Sequence, residues 1–215
     1  MKKTWQILLL STLFCALTSP LWAQNAGPYL GVFVGGQFLA PAQGEDSLGT
    51  FNLEYKPAPS GGIVLGWDLE EGSNLGEGRV ELEYSRRSNQ LDQAEFSEGK
   101  VDGSGDLTVD SLLANTFAVY RNASPWTPYF GAGIGVARVA ADLTVTEQSL
   151  LDDDAIILAY QFGAGVEVEL THSLSLDFGY RLFSGTTAKF TEANDDEVKI
   201  EYLSHSALVG LRLGF

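Results

Sequence analysis

His205 and Ser206 stand side by side, with Glu201 a short way before them. A serine, a histidine and an acid are the parts of an ester-cleaving set. Neighbouring residues on a strand point to opposite faces, however, so His205 is poorly placed to activate Ser206. His172 falls in a short connection and reads as a turn residue. Asp152-Asp153-Asp154 and Asp195-Asp196-Glu197 are acidic runs whose carboxylates suit a divalent cation, though a solvated loop accounts for them as well. Asp102-Gly103-Ser104-Gly105-Asp106 resembles the start of a calcium loop. Leu107 stands where that loop needs glycine and Leu113 where it needs glutamate, so the reading fails. No phosphate loop, nucleotide-binding motif or histidine metal cluster is present. The sequence therefore predicts no catalytic, cofactor-binding or metal residue, and no enzyme.

Charge of another kind is patterned. Arg79, Glu81, Glu83 and Arg87 recur at alternate positions, as do Glu167 and Glu169, then Asp177 and Arg181, with Arg212 near the end. The cations are all arginine. Lys56, Lys100, Lys189 and Lys199 lie in connections or at strand edges. Arginine's planar fork pairs with carboxylates in two-point contacts, which suits an enclosed face. These nine residues are expected to form one internal ion-pair network; an ordinary solvated face is the alternative.

The elements that carry them alternate with a period of two, the mark of half-buried strands. Eight segments can be drawn: about 29–38, 61–69, 78–88, 107–120, 128–139, 158–170, 174–182 and 199–215. The sixth is the cleanest, with Leu158, Tyr160, Phe162, Ala164, Val166 and Val168 opposing Ala159, Gln161, Gly163, Gly165 and Glu167. In the fourth, Leu112 and Leu113 break the phase, which predicts a bulge or a shifted register. Connections alternate long and short. Pro41–Ser60, Asn89–Asp106, Ala140–Asp154 and Ser184–Val198 are long and polar; Glu70–Glu77, Asn122–Thr127 and Thr171–His172 are short.

Met1–Ala23 reads as a cleaved secretory signal, with Lys2 and Lys3 ahead of an apolar stretch and Ala23 at the cut. Its apolar run is shorter than the roughly 18 residues of a spanning helix. Cys15 leaves with it, and the bulky Phe14 before it argues against lipidation. The remaining segment, Gln24–Phe215, is expected to be one domain. Of 13 basic residues, losing Lys2 and Lys3 leaves 11 against 28 acidic ones, a formal charge of −17. That sign disfavours nucleic acid.

Which face meets solvent follows from the polar face's composition. It carries Gly31, Gly35, Gly131, Gly133, Gly135, Gly163, Gly165, Gly179 and Gly210. Glycine in a water-facing strand costs about 0.5–1 kcal/mol for no gain. Inside a narrow eight-stranded barrel it makes room for larger neighbours. Trp67, Tyr84, Tyr120, Trp126, Phe130, Tyr180 and Phe215 gather near strand ends, where membrane interfaces favour aromatic rings. The fold expected is all-β: an eight-stranded antiparallel up-and-down transmembrane barrel with short periplasmic turns and long extracellular loops. A soluble lipocalin-like barrel is the main alternative.

Four motifs carry a resemblance: Pro28-Tyr-Leu-Gly-Val-Phe-Val-Gly-Gly, Pro128-Tyr-Phe-Gly-Ala-Gly-Ile-Gly-Val, Tyr160-Gln-Phe-Gly-Ala-Gly-Val and the ending Gly210-Leu-Arg-Leu-Gly-Phe. In that order they resemble the eight-stranded outer-membrane β-barrels related to outer membrane protein A and its surface-antigen, porin-like relatives. The resemblance implies a Gram-negative outer membrane, contact with its lipid and lipopolysaccharide, and no cofactor. It also implies that Phe215 is part of the insertion signal read by the barrel-insertion machinery and periplasmic chaperones. It transfers no single activity. The leading expectation is a structural or surface-interaction protein whose four loops meet a host or cell-surface ligand above a plugged barrel. A narrow channel for small solutes is the second, and a lipid-modifying enzyme the third.

Overall fold

The computed structural model describes residues 26–46, 49–69, 77–96, 99–145, 148–191 and 197–215. Met1–Ala23, Asp195 and Asp196 lie outside them. Alternation dictates the outcome: among the described residues, twelve antiparallel strands. Eight close a ring. In order around it they are β1 (Gly27–Leu39), β4 (Ala58–Asp68), β5 (Gly78–Phe96), β6 (Gly99–Val119), β7 (Trp126–Val145), β8 (Gln148–Thr171), β9 (Leu174–Gly185) and β12 (Leu203–Gly214), which returns to β1. Leu30 pairs across to Leu65, Leu82, Ala114, Ile134, Tyr160, Ser184 and Leu203 in turn. The circuit comes back beside Ala40, ten positions further along β1. That stagger gives strands tilted by roughly 40°, as membrane barrels require.

The apolar face points outward on all eight. Val32, Val34, Leu65, Leu82, Ile134, Phe162, Phe178 and Leu211 are exposed, while Tyr29, Arg79, Asn115, Tyr129 and Gln161 on alternate positions are buried. Trp67, Tyr84, Tyr120, Trp126, Phe130, Tyr180 and Phe215 also face out. Phe215 accepts its place at the seam, its amide donating to the Pro28 carbonyl at 3.1 Å. Glycines inside do make room: a Cβ on Gly66 would enter the Tyr29 ring, and one on Gly165 would meet the Tyr129 hydroxyl.

Three expectations need correction. Among the described residues the long connections are largely strand. β5 and β6, and β7 and β8, continue upward as paired strands, with register shifts at Gln90/Gln93 and Leu143/Thr144, because their alternation continues past the apolar belt. On the other side the chain breaks at Ala40–Pro41, Lys56–Pro57, Thr186–Thr187 and Glu201–Tyr202, and resumes as β2 (Ala42–Asp46), β3 (Gly49–Tyr55), β10 (Ala188–Thr191) and β11 (Glu197–Ile200). The predicted last strand, Lys199–Phe215, is thus divided. Finally, β6 has no bulge at Leu112 and Leu113; it stays in register with β7 from Gly103 to Val119. Leu112 faces lipid and Leu113 the interior because the two faces exchange polarity there. The irregularity with β5 lies higher, between Gln90 and Gln93.

Above that exchange the molecule is built the other way round. Leu53, Leu91, Leu107, Val109, Val139, Leu143, Phe190 and Ile200 form a dry core inside. Asp102, Asp106, Arg138 and Asp142 face out. Together these strands make a head on top of the membrane barrel. Among the described residues it has one unpaired seam: β10 lies against β8 without a hydrogen-bonded register.

Candidate functional site

Each lumen charge comes from a strand position facing away from lipid, so the ring itself brings them together. Arg79, Glu81, Glu83, Arg87 and Arg181 are buried, and Glu167, Asp177 and Arg212 half-buried. Arg79 is the hub. Its Nε lies 2.8 Å from Glu81 Oε1, its Nη1 donates to Glu167 Oε2 at 3.0 Å, and its Nη2 lies 3.5 Å from Asp177 Oδ2. Its guanidinium stacks on the Tyr129 ring at 4.0 Å from the centroid. The Tyr29 hydroxyl donates to Glu81 at 2.6 Å and the Tyr129 hydroxyl to Asp177 at 2.7 Å.

Below this layer Arg212 joins Glu167 at 2.5 Å and Asp68, stacks 3.8 Å from the Tyr29 centroid, and so closes the floor. Arg121 reaches Asp68 from the β6–β7 turn at 3.1 Å. Above it, Glu83 accepts from Asn115 and Gln161, both at 3.1 Å, and lies 4.0 Å from Arg181. Among the described residues, Arg79, Arg87, Arg121, Arg181 and Arg212 face Asp68, Glu81, Glu83, Glu167 and Asp177, so the interior is formally neutral. That balance keeps so many buried charges tolerable.

Among the described residues, seven of the nine predicted members meet one another in ion-pair contacts; Arg87, bonded to Ser111, and Glu169 do not. Glu169 sits at the mouth that carries the short turns, its side chain 58% exposed, 3.5 Å from His172. Tilt carries that end of β8 past the floor. Asp68, Tyr29 and Tyr129 were on the right face of their strands by parity alone. Arg121, in a turn, left no periodic signal. The internal space beside Arg79 and Arg212 is a cavity of about 40 Å³, room for no more than a few water molecules. A polar bowl of about 410 Å³, lined by Arg121, Glu167 and His172, lies outside the floor.

The other chemical candidates do not assemble. His205 faces outward, its Nδ1 2.5 Å from the Tyr180 hydroxyl, whereas Ser206 points inward at 2% exposure. His172 is exposed in the β8–β9 turn. Asp153 and Asp154 lie on β8 with adjacent, opposite-facing positions, and Asp154 pairs with Arg138 at 2.9 Å. Asp102, Ser104 and Asp106 share the outer face of β6 while Gly103 and Gly105 turn inward, so no loop surrounds a cation. Among the described residues no group of three or more His, Cys, Asp or Glu is arranged to hold a metal.

The family model described as the outer membrane protein β-barrel domain matches residues 7–215. The chain belongs to that family. It is 30% identical over 193 residues to uncharacterized proteins of Brucella abortus (strain 2308) and Brucella suis biovar 1 (strain 1330). Those alignments cover 77% of this chain and 66% of each relative, so it spans just under two thirds of their length. Among solved structures it is similar to Neisserial surface protein A, with TM-score 0.55 and 22% identity over 89% of this chain and all of that one. It is also similar to OprG of Pseudomonas aeruginosa, with TM-score 0.50 and 14% identity over 89% and 98%. These likenesses establish the fold, an eight-stranded outer-membrane barrel.

Proposed function

We propose that this outer-membrane barrel is a closed anchor that carries a β-structured head for surface interactions. The observation that supports it most is the occluded lumen: Arg79, 1% exposed, is locked to three carboxylates and an aromatic face across the bore. A solute would have to break several charge-assisted bonds there and then cross a dry core above. Loops and hairpins displayed on a rigid scaffold are where recognition usually resides. On this reading the head meets a host or cell-surface ligand, the wall contacts outer-membrane lipid and lipopolysaccharide, the signal Met1–Ala23 is cleaved on export, and Phe215 serves recognition by the insertion machinery and its chaperones. No catalytic residue is assigned.

Single-channel recording in planar bilayers tests the reading. The expected outcome is no steady conductance from the wild-type barrel. Long-lived openings would instead support the narrow-channel alternative.

A further inference from the structure

The outer wall of β5–β8 carries a feature that a plain anchor does not call for. At the level where the faces exchange polarity, Arg86 and Arg138 flank Asp110 in one cross-strand row of β5, β6 and β7. Asp154 stands beside them on β8, bonded to Arg138. Cation and anion therefore alternate along the upper edge of the apolar belt. The pairs are loose. Arg86, its side chain 64% exposed, reaches Asp110 only at 3.4 and 3.5 Å, long for a charge-assisted bond. The Tyr84 hydroxyl donates to Asp110 at 2.7 Å and holds that carboxylate in place. Arg138 bonds Asp154 through Nε alone, which among the described residues leaves both Nη groups without a protein acceptor.

Beneath this row the belt is grooved. Ala114, Thr116 and Ala132 are small where Leu82 on one side and Ile134 on the other are large, and a groove of about 920 Å³ runs over them. Val80, in its wall, lies on β5 below Arg86, about 20 Å of strand away, within the span of one acyl chain. Above the row the outer face of the head is acidic: Asp106 stands directly across from Asp142, and Asp102 is exposed on β6.

We propose that this wall binds one aminophospholipid, with its phosphate on Arg86 and Arg138, its ammonium on Asp110 and Asp154, and an acyl chain in the groove. A phosphate takes two-point contacts from a guanidinium, which improve on the long contact to Asp110. A primary ammonium brings three N–H donors to the carboxylates; a choline headgroup brings none. A lipid bearing phosphates alone would set like charges against Asp110, Asp154 and the acidic head, which selects against it. The inference rests on the reading of this wall as lipid-facing and is independent of whether the barrel conducts.

Tryptophan quenching tests it. Trp67 lines the groove, and in refolded Gln24–Phe215 the substitution Trp126→Phe leaves it the one tryptophan. Phosphatidylethanolamine with brominated acyl chains is titrated into the detergent-held barrel, and unbrominated lipids then compete. Phosphatidylethanolamine is expected to compete best, with phosphatidylcholine, phosphatidylglycerol and lipid A each weaker by about fivefold or more, the worth of one charge contact at a membrane surface. Arg86→Gln and Arg138→Gln are each expected to weaken phosphatidylethanolamine about fivefold. Ala114→Phe fills the groove and is expected to abolish saturable quenching, while His205→Gln, on the opposite wall, changes nothing. All four positions face outward, and heat-modifiable gel mobility reports that each variant is folded. Equal competition by all four lipids, tighter binding of phosphatidylglycerol or lipid A, or an affinity unchanged in both arginine variants would overturn the proposal and leave the lipid-facing wall standing. Quenching by no lipid at all would overturn the wall as well.

Discussion

The lower and upper halves of this barrel are built from the same strands with opposite polarity. On β6, Leu112, Ala114, Thr116 and Ala118 face out below, and Asp102, Asp106 and Asp110 above; inside, Asn115 gives way to Leu107 and Val109. On β7, Ile134 and Val136 give way outside to Arg138 and Asp142, while inside, glycines give way to Ala137, Val139 and Leu143. Along β6 and β7 the period of two does not change; only the assignment of faces does. The solvent sets it. Hydrocarbon forces a closed hydrogen-bonded ring and banishes charge to the interior. Water removes both demands, so the head packs like a soluble sandwich and leaves a seam between β8 and β10.

The contrast can be broken first at its most charged point. Arg79→Ala strands Glu81, Glu167 and Asp177 inside the lower half, and is expected to cost about 3–5 kcal/mol in urea unfolding and to admit ions in bilayer recordings. A neutral effect on both would show that the layer is solvated. In the upper half, Leu107→Ala opens a cavity instead and is expected to cost about 2–5 kcal/mol. Its signature differs: the head becomes sensitive to external protease while the barrel keeps its heat-modifiable mobility on gels. Loss of both together would mean that the halves fold as one unit.

The outer faces should differ as sharply. Leu82→Arg puts a cation against hydrocarbon and is expected to destabilise by about 2–4 kcal/mol, whereas Ser104→Arg, on the outer face of the head, stays within about 0.5 kcal/mol. Equal effects would place Ser104 in lipid. The smallest effect belongs to the exposed pair above the belt. The hydrogen bond and charge of Arg138 hold the Asp154 carboxyl below its ordinary 3.8. Its contribution is therefore present above that value and fades as pH falls through the lowered one. Asp154→Asn is expected to lower stability slightly at neutral pH, to match the wild type once pH has fallen well below 3.8, and so to flatten the acid limb of a pH titration.

Strand phase, the closed ring and the members of the ion-pair layers were readable from sequence because parity assigns every strand residue a face. Tyr29, Gly66 and Asp68 were legible on that basis alone. The head was not. Its residues alternate too, as in Asp106, Leu107, Asp142 and Leu143, but a polar exterior with an apolar interior looks locally like a loop rich in Asp, Ser and Gly when the membrane is assumed to continue. The same assumption turned Leu112 and Leu113 into an apparent bulge. Two adjacent apolar residues mark the crossing level, where one still meets lipid and the next already belongs inside. Arg121 escaped because a turn has no periodicity to betray which way it points.

The four chain breaks lie on one side of the molecule and the four uninterrupted strands on the other. A force on the head therefore enters the membrane by two mechanical routes. Along β5–β8 it runs through long strands paired from membrane to head, broken in register only at Gln90/Gln93 and Leu143/Thr144 among the described residues. On the opposite side it must pass the strand breaks at Ala40–Pro41, Lys56–Pro57, Thr186–Thr187 and Glu201–Tyr202, where single backbone hydrogen bonds from Ala40, Lys56 and Thr186 stand in for a continuous ladder. The load path through the head is therefore asymmetric, with its continuous strands on one side and its strand breaks on the other.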